Sequence, residues 1–468
     1  MIKLFRQYVS TRKMIFVIGE GILIFLAVYL ASFYFFRVDI GIIDLLEMVW
    51  PKVILITIVT QFSLYFSDLY EFKATETLID LTSKLIQAIG ITSVLLAAVY
   101  FLWPDMIIGR WVFFASLVLL LSFLVSWRFL YTFGIRKKMF VEKAVLLGSG
   151  RLGRDILDEI SSRKDLPYNI DLVMMYDRKP HNNDRKNRFQ VIPVNYGFDN
   201  VCDLAEAEDI RSIIVALDEK RGVFPYRELL GCKMRGINII DGESFYERIT
   251  GKVLVERINP SWLIFSEGFV KSKISRIIKR LGGILLATVL MIGFSPLILL
   301  IAVAIKLDSR GSVFFSQERA GKYGKVFMMY KFRSMDANAE EGSGPVWAED
   351  EDPRITRVGK IIRKFRFDEI PQLWNVFKGD MSFVGPRPER PFFVEKLKEI
   401  IPYYNERLSV KPGLTGWAQI KFAYSSTEEE ALEKLKYDLY YIKNMSLVMD
   451  LIIIFHTIKI VFLGRGSR

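Results

Sequence analysis

The sequence predicts a membrane α-helical bundle plus an α/β fold: four transmembrane helices, a Rossmann-like parallel-sheet domain, and a C-terminal, mostly α domain with a re-entrant membrane helix. Three observations predict it. Four apolar stretches crowd the first 135 residues. From Lys143 short β-rich runs alternate with helical ones. A further apolar run at about residues 281–307 is broken at its middle by Ser295-Pro296. A chain of 468 residues holds two or three units at roughly 100–200 residues each, and the composition shifts divide it into 1–135, 136–265 and 266–468. The 51% hydrophobic content is high for a soluble protein and agrees with membrane segments.

The first four stretches run over Met14–Phe36, Met48–Phe66, Leu85–Trp103 and Met106–Trp127. Each approaches the ~20 residues that cross a bilayer. Lys3, Arg6, Arg12 and Lys13 flank the start, and Arg136, Lys137 and Lys138 flank the exit. Both flanks therefore belong on the cytoplasmic side, as an even number of crossings requires. Glu20 inside the first span is expected to make a helix–helix hydrogen bond or to lie near the interface. The first run is too long for a signal peptide and carries no small-residue cleavage site.

The α/β unit should contain strands at Ala144–Leu147, Leu172–Tyr176, Gln190–Val194, Ser212–Ala216 and Ile237–Ile240, mostly parallel. The first leads into Gly148-Ser149-Gly150-Arg151-Leu152-Gly153, glycines that permit a tight turn and close approach of a pyrophosphate. Asp177, at the end of the next strand, lies farther on than the usual ~20 residues for a ribose-binding acid. The motif alone leaves nucleotide binding open. Cys202 and Cys232 read as buried thiols rather than a disulfide framework. With only His181 and His456 available, a histidine zinc site is excluded.

The run at 281–307 is long enough for a fifth crossing, but Lys271, Lys273, Arg276, Lys279 and Arg280 precede it and Lys306 and Arg310 follow it. Both ends favour the cytoplasmic side. Pro296 removes a backbone donor and Ser295 can satisfy the freed carbonyl, so the helix is expected to dip into one leaflet and return. The apolar tail Leu447–Leu463 is interrupted by Asp450, His456 and Lys459, which suits an interfacial or packed helix.

The motifs that carry chemistry follow. Lys331 and Arg333, in the alternating run Tyr330–Met335, should point the same way on a strand, where two cations could meet one diphosphate. The carboxylate-rich stretch from Asp336 to Asp352 reads as a mobile loop of the kind that forms a lid. Arg354, Arg357, Lys360, Arg363, Lys364 and Arg366 come next with no acid among them, while Val358, Ile361, Ile362 and Phe365 mark a buried helical stripe. Asp368-Glu369 then stand just before Pro371. A carboxylate held among cations suits attack on, or metal binding at, a phosphate anhydride. Two prolines fix the backbone of Arg387 and aim its guanidinium. Trp417, after Lys411-Pro412-Gly413-Leu414-Thr415-Gly416, either lines a pocket or packs in the core, and Asp438 in an aromatic helix makes a structural hydrogen bond by default.

From about Lys271 onward these blocks, in this order, resemble the bacterial sugar transferase family, the monotopic phosphoglycosyl transferases. The resemblance rests on the Ser-Pro broken helix, Val313–Arg319, Tyr330–Met335, Asp352-Pro353-Arg354, Phe367–Asn375, Gly385-Pro386-Arg387-Pro388 and Lys411–Gly416. Four spans and a Rossmann-like domain ahead of a monotopic catalytic domain are similar to the large subclass. The Gly344–Ala348 stretch and the Gly464-Arg465-Gly466 ending resemble enzymes of exosortase-linked exopolysaccharide systems.

The resemblance implies transfer of a sugar 1-phosphate from a UDP-sugar to undecaprenyl phosphate with release of UMP. It implies a covalent intermediate on Asp368, Mg2+ as cofactor, and Glu369 acting through the metal or in proton transfer. Lys331, Arg333 and Arg387 would steady phosphate charge, with Asp438 a polar contact. The partners it implies are the bilayer, on the cytoplasmic face of the bacterial inner membrane, and a second copy in a symmetric dimer. The sugar is not legible.

The net charge of +12 also admits nucleic acid, but the bases cluster near membrane segments, so none is expected as a partner. A membrane-anchored NAD-dependent dehydratase or epimerase would need a Tyr-x-x-x-Lys pair, and no tyrosine here has lysine four residues on. A non-catalytic scaffold leaves the Asp-Glu pair unexplained.

Overall fold

The computed structural model describes residues 2–4, 7–9, 11–36, 42–70, 78–136, 141–148, 150–163, 166–175, 190–193, 201–217, 224–257, 265–266, 268–336, 354–422 and 427–462. Ser149, Asp177, the stretch 337–353 and the 464–466 ending lie outside them. The chain divides into two compact units, one of Met1–Lys3 and Tyr8–Phe245, the other of Leu4–Gln7 and Tyr246–Arg468.

In the first unit, α1 (Thr11–Phe36), α2 (Ile42–Phe66), α3 (Leu78–Leu102) and α4 (Arg110–Arg136) contain four segments long and apolar enough to cross a membrane. α1 packs against both α2 and α4. Glu20, fully buried, accepts a 2.7 Å bond from Arg128 Nη2, whose Nη1 donates to Leu69 O at 3.2 Å. The polar residue inside the first span is thus a helix–helix partner, as intramembrane charges generally are.

The rest of this unit is an α/β region. β1 (Glu142–Leu147), α5 (Arg151–Ser162), β2 (Tyr168–Met175), β3 (Gln190–Pro193), α6 (Val201–Ala207), β4 (Ser212–Val215), α7 (Tyr226–Met234) and β5 (Asn238–Asp241) follow one another. The strands form one parallel sheet in the order β3-β2-β1-β4-β5. The last four residues of β1 are all buried, which is why they read Ala-Val-Leu-Leu without alternation. Gly148 has φ +118° and lies against Ala216 O, where a Cβ would come within 2.3 Å. Gly153 lies so close to Gly148 O that a Cβ would meet it at 2.6 Å. Two of the motif's three glycines, Gly148 and Gly153, therefore have packing reasons of their own.

Cys202 and Cys232 form a disulfide, which corrects the expectation of two buried thiols. α6 and α7 pack side by side and bring the two Cα atoms to 5.0 Å across 30 residues of chain. A pairing between two helices at that separation has no local signature.

In the second unit, α8 (Lys273–Gly293) and α9 (Ser295–Asp308) meet at a 60° bend. Ser295 Oγ donates to Ile292 O at 2.7 Å, satisfying a carbonyl the break releases. Pro296 stands in the first turn of α9, where its missing N–H has no intrahelical partner to lose. The 14 residues of α9 measure ~21 Å at 1.5 Å each, short of a ~30 Å hydrocarbon core. Leu285, Val289, Leu299, Leu300 and Val303 leave apolar surface exposed along both arms.

The basic root of α8 does more than flank an apolar run. Arg280 donates to Val376 O and Phe377 O, and Lys279 pairs with Asp450 at 2.8 Å. The Asp450 carboxylate also accepts from Tyr441 Oη at 2.7 Å, so the tail helix (Leu447–Phe462) is packed. A core cluster joins Ile301 and Ile305 of α9 to Met329, Phe332, Ile362, Ile370 and Leu373. The broken helix and the motif-bearing elements thus share one packed interior. Trp417 resolves as a packing residue: Nε1 donates to Gly251 O at 2.9 Å and the ring stacks on Tyr440.

Candidate active site

Two elements frame the Asp-Glu pair. β6 (Phe314–Ala320) and β7 (Val326–Phe332) form an antiparallel hairpin in which Lys331 lies opposite Phe315. The basic segment forms α10 (Arg357–Lys364), its N-terminus capped by Thr356 Oγ1 and bonded through Val358 N to Asp308 Oδ2 at 2.9 Å. Gly359 is needed there, because a Cβ would meet Ser334 O at 2.1 Å. Of the expected apolar stripe, Val358 and Ile362 face the core, whereas Ile361 (60% exposed) and Phe365 (37%) face outward. At 100° per residue Ile361 falls on the flank of Ile362, and Phe365 lies beyond the last helical residue.

The chain turns at Arg366, in the left-handed region with φ 55°. A single-turn 3₁₀ helix, Phe367–Glu369, carries both acids, and Pro371 is the residue before α11 (Gln372–Lys378). Asp368 and Glu369 are each 8% exposed. Lys331 Nζ lies 3.8 Å from Asp368 Oδ2 and 3.6 Å from Glu369 Oε1. Arg387 Nη2 donates to Glu369 Oε1 at 2.9 Å, and Arg366 Nη1 stands 4.0 Å from Oε2.

These partners and burial shift two adjacent acids in opposite directions. Burial raises the Asp368 carboxyl to about 6, with Lys331 opposing and the Glu369 charge adding to the rise. Burial would raise Glu369 as well, but Arg387, Lys331 and Arg366 outweigh it and hold that carboxyl below its usual range. Glu369 is therefore the fixed anion, and Asp368 the more basic carboxylate, approached less closely by its cations. That difference suits a nucleophile beside an electrostatic anchor.

A family model described as bacterial sugar transferase matches residues 274–464, and one described as CoA-binding domain matches 65–222. The exopolysaccharide production protein PSS of Rhizobium leguminosarum bv. phaseoli is 40% identical over 187 residues, 39% of this chain and 94% of that protein. This chain belongs to the bacterial sugar transferase family. The UDP-N-acetylgalactosamine-undecaprenyl-phosphate N-acetylgalactosaminephosphotransferase of Aeromonas hydrophila is 43% identical over 242 residues, 52% of the sugar transferase chain here and 56% of that protein. The undecaprenyl-phosphate galactose phosphotransferase of Salmonella typhimurium is 29% identical over 353 residues, covering 71% and 70% of the two chains. The chain covers about half or less of several curated relatives, 56% of the Aeromonas protein and 42% of the UDP-glucose:undecaprenyl-phosphate glucose-1-phosphate transferase of Escherichia coli.

Within this sugar transferase the expected site residues separate. Lys331, Asp368, Glu369 and Arg387 come together. Arg333 does not join them: Nη1 donates to Arg310 O at 2.8 Å, and Nη2 to Ser309 O and Oγ at 2.9 Å each. Arg333 is the first residue past β7, and its N–H still bonds to Val313 O at 2.9 Å. The Arg333 guanidinium is committed to the chain leaving α9 instead of to the acids.

Asp438 sits one layer behind the acids, 2% exposed, and pairs at 2.9 Å with Arg407 Nη2. Arg407 Nη2 also donates to Arg387 O at 3.0 Å, and Nη1 to Tyr404 Oη at 2.7 Å. Burial pushes the Asp438 carboxyl up, and Arg407 opposes it. Sequence reasoning missed Arg407, whose one signal was a lone acid in an aromatic helix that needed a partner. Asp438→Ala should lower stability by about 3–5 kcal/mol, because it strands a buried guanidinium. A lower thermal unfolding midpoint in detergent, with Asp438→Asn falling less, is the expected measurement.

Proposed function

We propose that this protein transfers a sugar 1-phosphate from a UDP-sugar to undecaprenyl phosphate and so initiates synthesis of an exopolysaccharide or other surface glycan. The observation that carries the reading is the buried pair itself: Glu369 takes the close Arg387 contact and leaves Asp368 the more basic carboxylate. In the first step an Asp368 carboxylate oxygen attacks the sugar-linked phosphorus. The phosphoanhydride bond breaks, and UMP leaves with its electron pair. In the second step an undecaprenyl phosphate oxygen attacks the same phosphorus and releases Asp368 as carboxylate. Lys331 and Arg387 balance the charge on the transferring phosphoryl group, as preorganised cations do. Without such cations, two unit charges ~4 Å apart repel by about 4 kcal/mol at a surface-like dielectric.

Among the described residues no group of three or more His, Cys, Asp or Glu could cage a metal. Mg2+ commonly binds through one or two carboxylates together with substrate phosphates, and Asp368 and Glu369 supply the carboxylate part of such a set. Glu369, whose Oε2 lies 4.0 Å from Arg366 Nη1, fits the protein's share of it. When bound, Mg2+ would neutralise diphosphate charge.

The same reading makes the parallel sheet a Rossmann-like domain and the 60° helix pair a re-entrant element at the cytoplasmic face of the bacterial inner membrane. Its support is the short second arm, the exposed apolar surface and the basic residues at both ends. A cysteine introduced after Leu307 should react with an impermeant maleimide only from the cytoplasmic side. Reaction only from outside would sink the re-entrant geometry. The reaction is tested by UMP release from a panel of UDP-sugars in the presence of undecaprenyl phosphate. One sugar should support turnover, and release from none of them would overturn the reading.

A further inference from the structure

Asn375 is fully buried in α11, the helix that follows the Asp-Glu pair, and its side chain does something a helix residue seldom does. Its Oδ1 accepts from Tyr330 N at 3.1 Å, and its Nδ2 donates to Met328 O at 2.7 Å. Those two backbone groups flank Met329 on the edge of β7 that β6 leaves unpaired. They are the donor and acceptor that a residue of a parallel neighbouring strand would engage. The backbone carbonyl of Asn375 also accepts from Gly379, Asp380 and Met381 at 3.0, 3.0 and 3.2 Å. One residue thus joins the edge of β7 to the helix and to the turn that closes it.

Lys331 is the next residue along β7 from Tyr330, and its Nζ lies 3.6 and 3.8 Å from the two acids. The acids are separated from α11 only by Ile370 and Pro371. We propose that Asn375 is a positioning residue that sets the register of β7 against α11 and thereby holds Lys331 over Asp368 and Glu369. The chemistry is specific to a carboxamide of this length. A carboxylate has two acceptors, which would leave Met328 O without a donor beside a buried charge, and a methyl group offers neither function. A misplacement of about 1 Å at a reacting site can cost about a hundredfold in rate.

The activity arm of the test rests on the proposed sugar-phosphate transfer, and a labelling arm does not. In the full chain, Asn375→Ala and Asn375→Ser are compared with Lys331→Met and with the Asn375→Ala/Lys331→Met double variant. Asn375→Ala should lower kcat for UMP release by about ten- to a hundredfold. Added to Lys331→Met, it should cost no more than about twofold further, because both changes remove one interaction. Competitive acetylation read by mass spectrometry should show Lys331 several-fold more reactive in Asn375→Ala, with exposed Lys378 unchanged. Multiplicative losses with wild-type labelling of Lys331 would overturn the proposal, as would failure of both Asn375 variants to fold. If the wild type releases no UMP, the transfer reading falls and the labelling alone decides the role of Asn375.

Discussion

Asp368→Asn should abolish UMP release, with a loss of about a thousandfold or more, while leaving the protein folded. The amide matches the carboxylate in shape but cannot open a phosphoanhydride. A second signature separates loss of a nucleophile from loss of structure. Burial lifts the Asp368 carboxyl from 3.8 to about 6, so its ionised form is disfavoured in the folded state. The corresponding destabilisation grows as pH rises from the unfolded value through about 6, and it is fully present at pH 7. In metal-free buffer Asp368→Asn should therefore unfold at a higher temperature than the wild type at pH 7, and this gain should shrink at pH 5. An inactive variant that is more stable at neutral pH places the acid in the chemistry. Full UMP release by purified Asp368→Asn would remove the covalent mechanism.

Arg387→Met carries the second largest expected effect, a fall of about 10²–10³ in kcat, the range seen when one preorganised charge-stabilising donor is removed. Its guanidinium donates the 2.9 Å bond to Glu369, and its own carbonyl is held by buried Arg407. The two flanking prolines leave its backbone little freedom. Arg387→Lys keeps the charge without the planar fork and should recover only part of the rate. Initial rates at saturating UDP-sugar measure both variants, and wild-type kcat in Arg387→Met would remove it from the chemistry.

Residues whose signal is local were legible in the chain. The Asp-Glu pair and the proline-flanked Arg387 announce themselves within a few residues. The Ser-Pro break announces itself against apolar periodicity, and Ser295 does accommodate the carbonyl at the bend. Alternation could not show where the Arg333 guanidinium goes, because its partners, Arg310 O and Ser309, lie more than twenty residues away in the chain. Ile361 and Phe365 were misread because a helix of 8 residues has too few turns to bury a full stripe. The Cys202–Cys232 pairing, the Asp438–Arg407 ion pair and the Asn375 bonds to β7 each join residues that no sequence period relates.

The sequence by itself determined which residue types are available and in what order: four apolar spans, an alternating α/β region, a broken apolar helix, and acids set after a run of bases. Only the tertiary structure decided which cation meets which acid. Arg366 reverses the chain, β7 brings Lys331 within 4 Å of both carboxylates, and Arg387 binds one of them. The physical reason is the range of the interactions. Periodicity and turn chemistry act over a few neighbouring residues. The difference between a nucleophile and an anchored anion depends on charges within 4 Å in space, which lie 18 residues apart for Arg387 and Glu369.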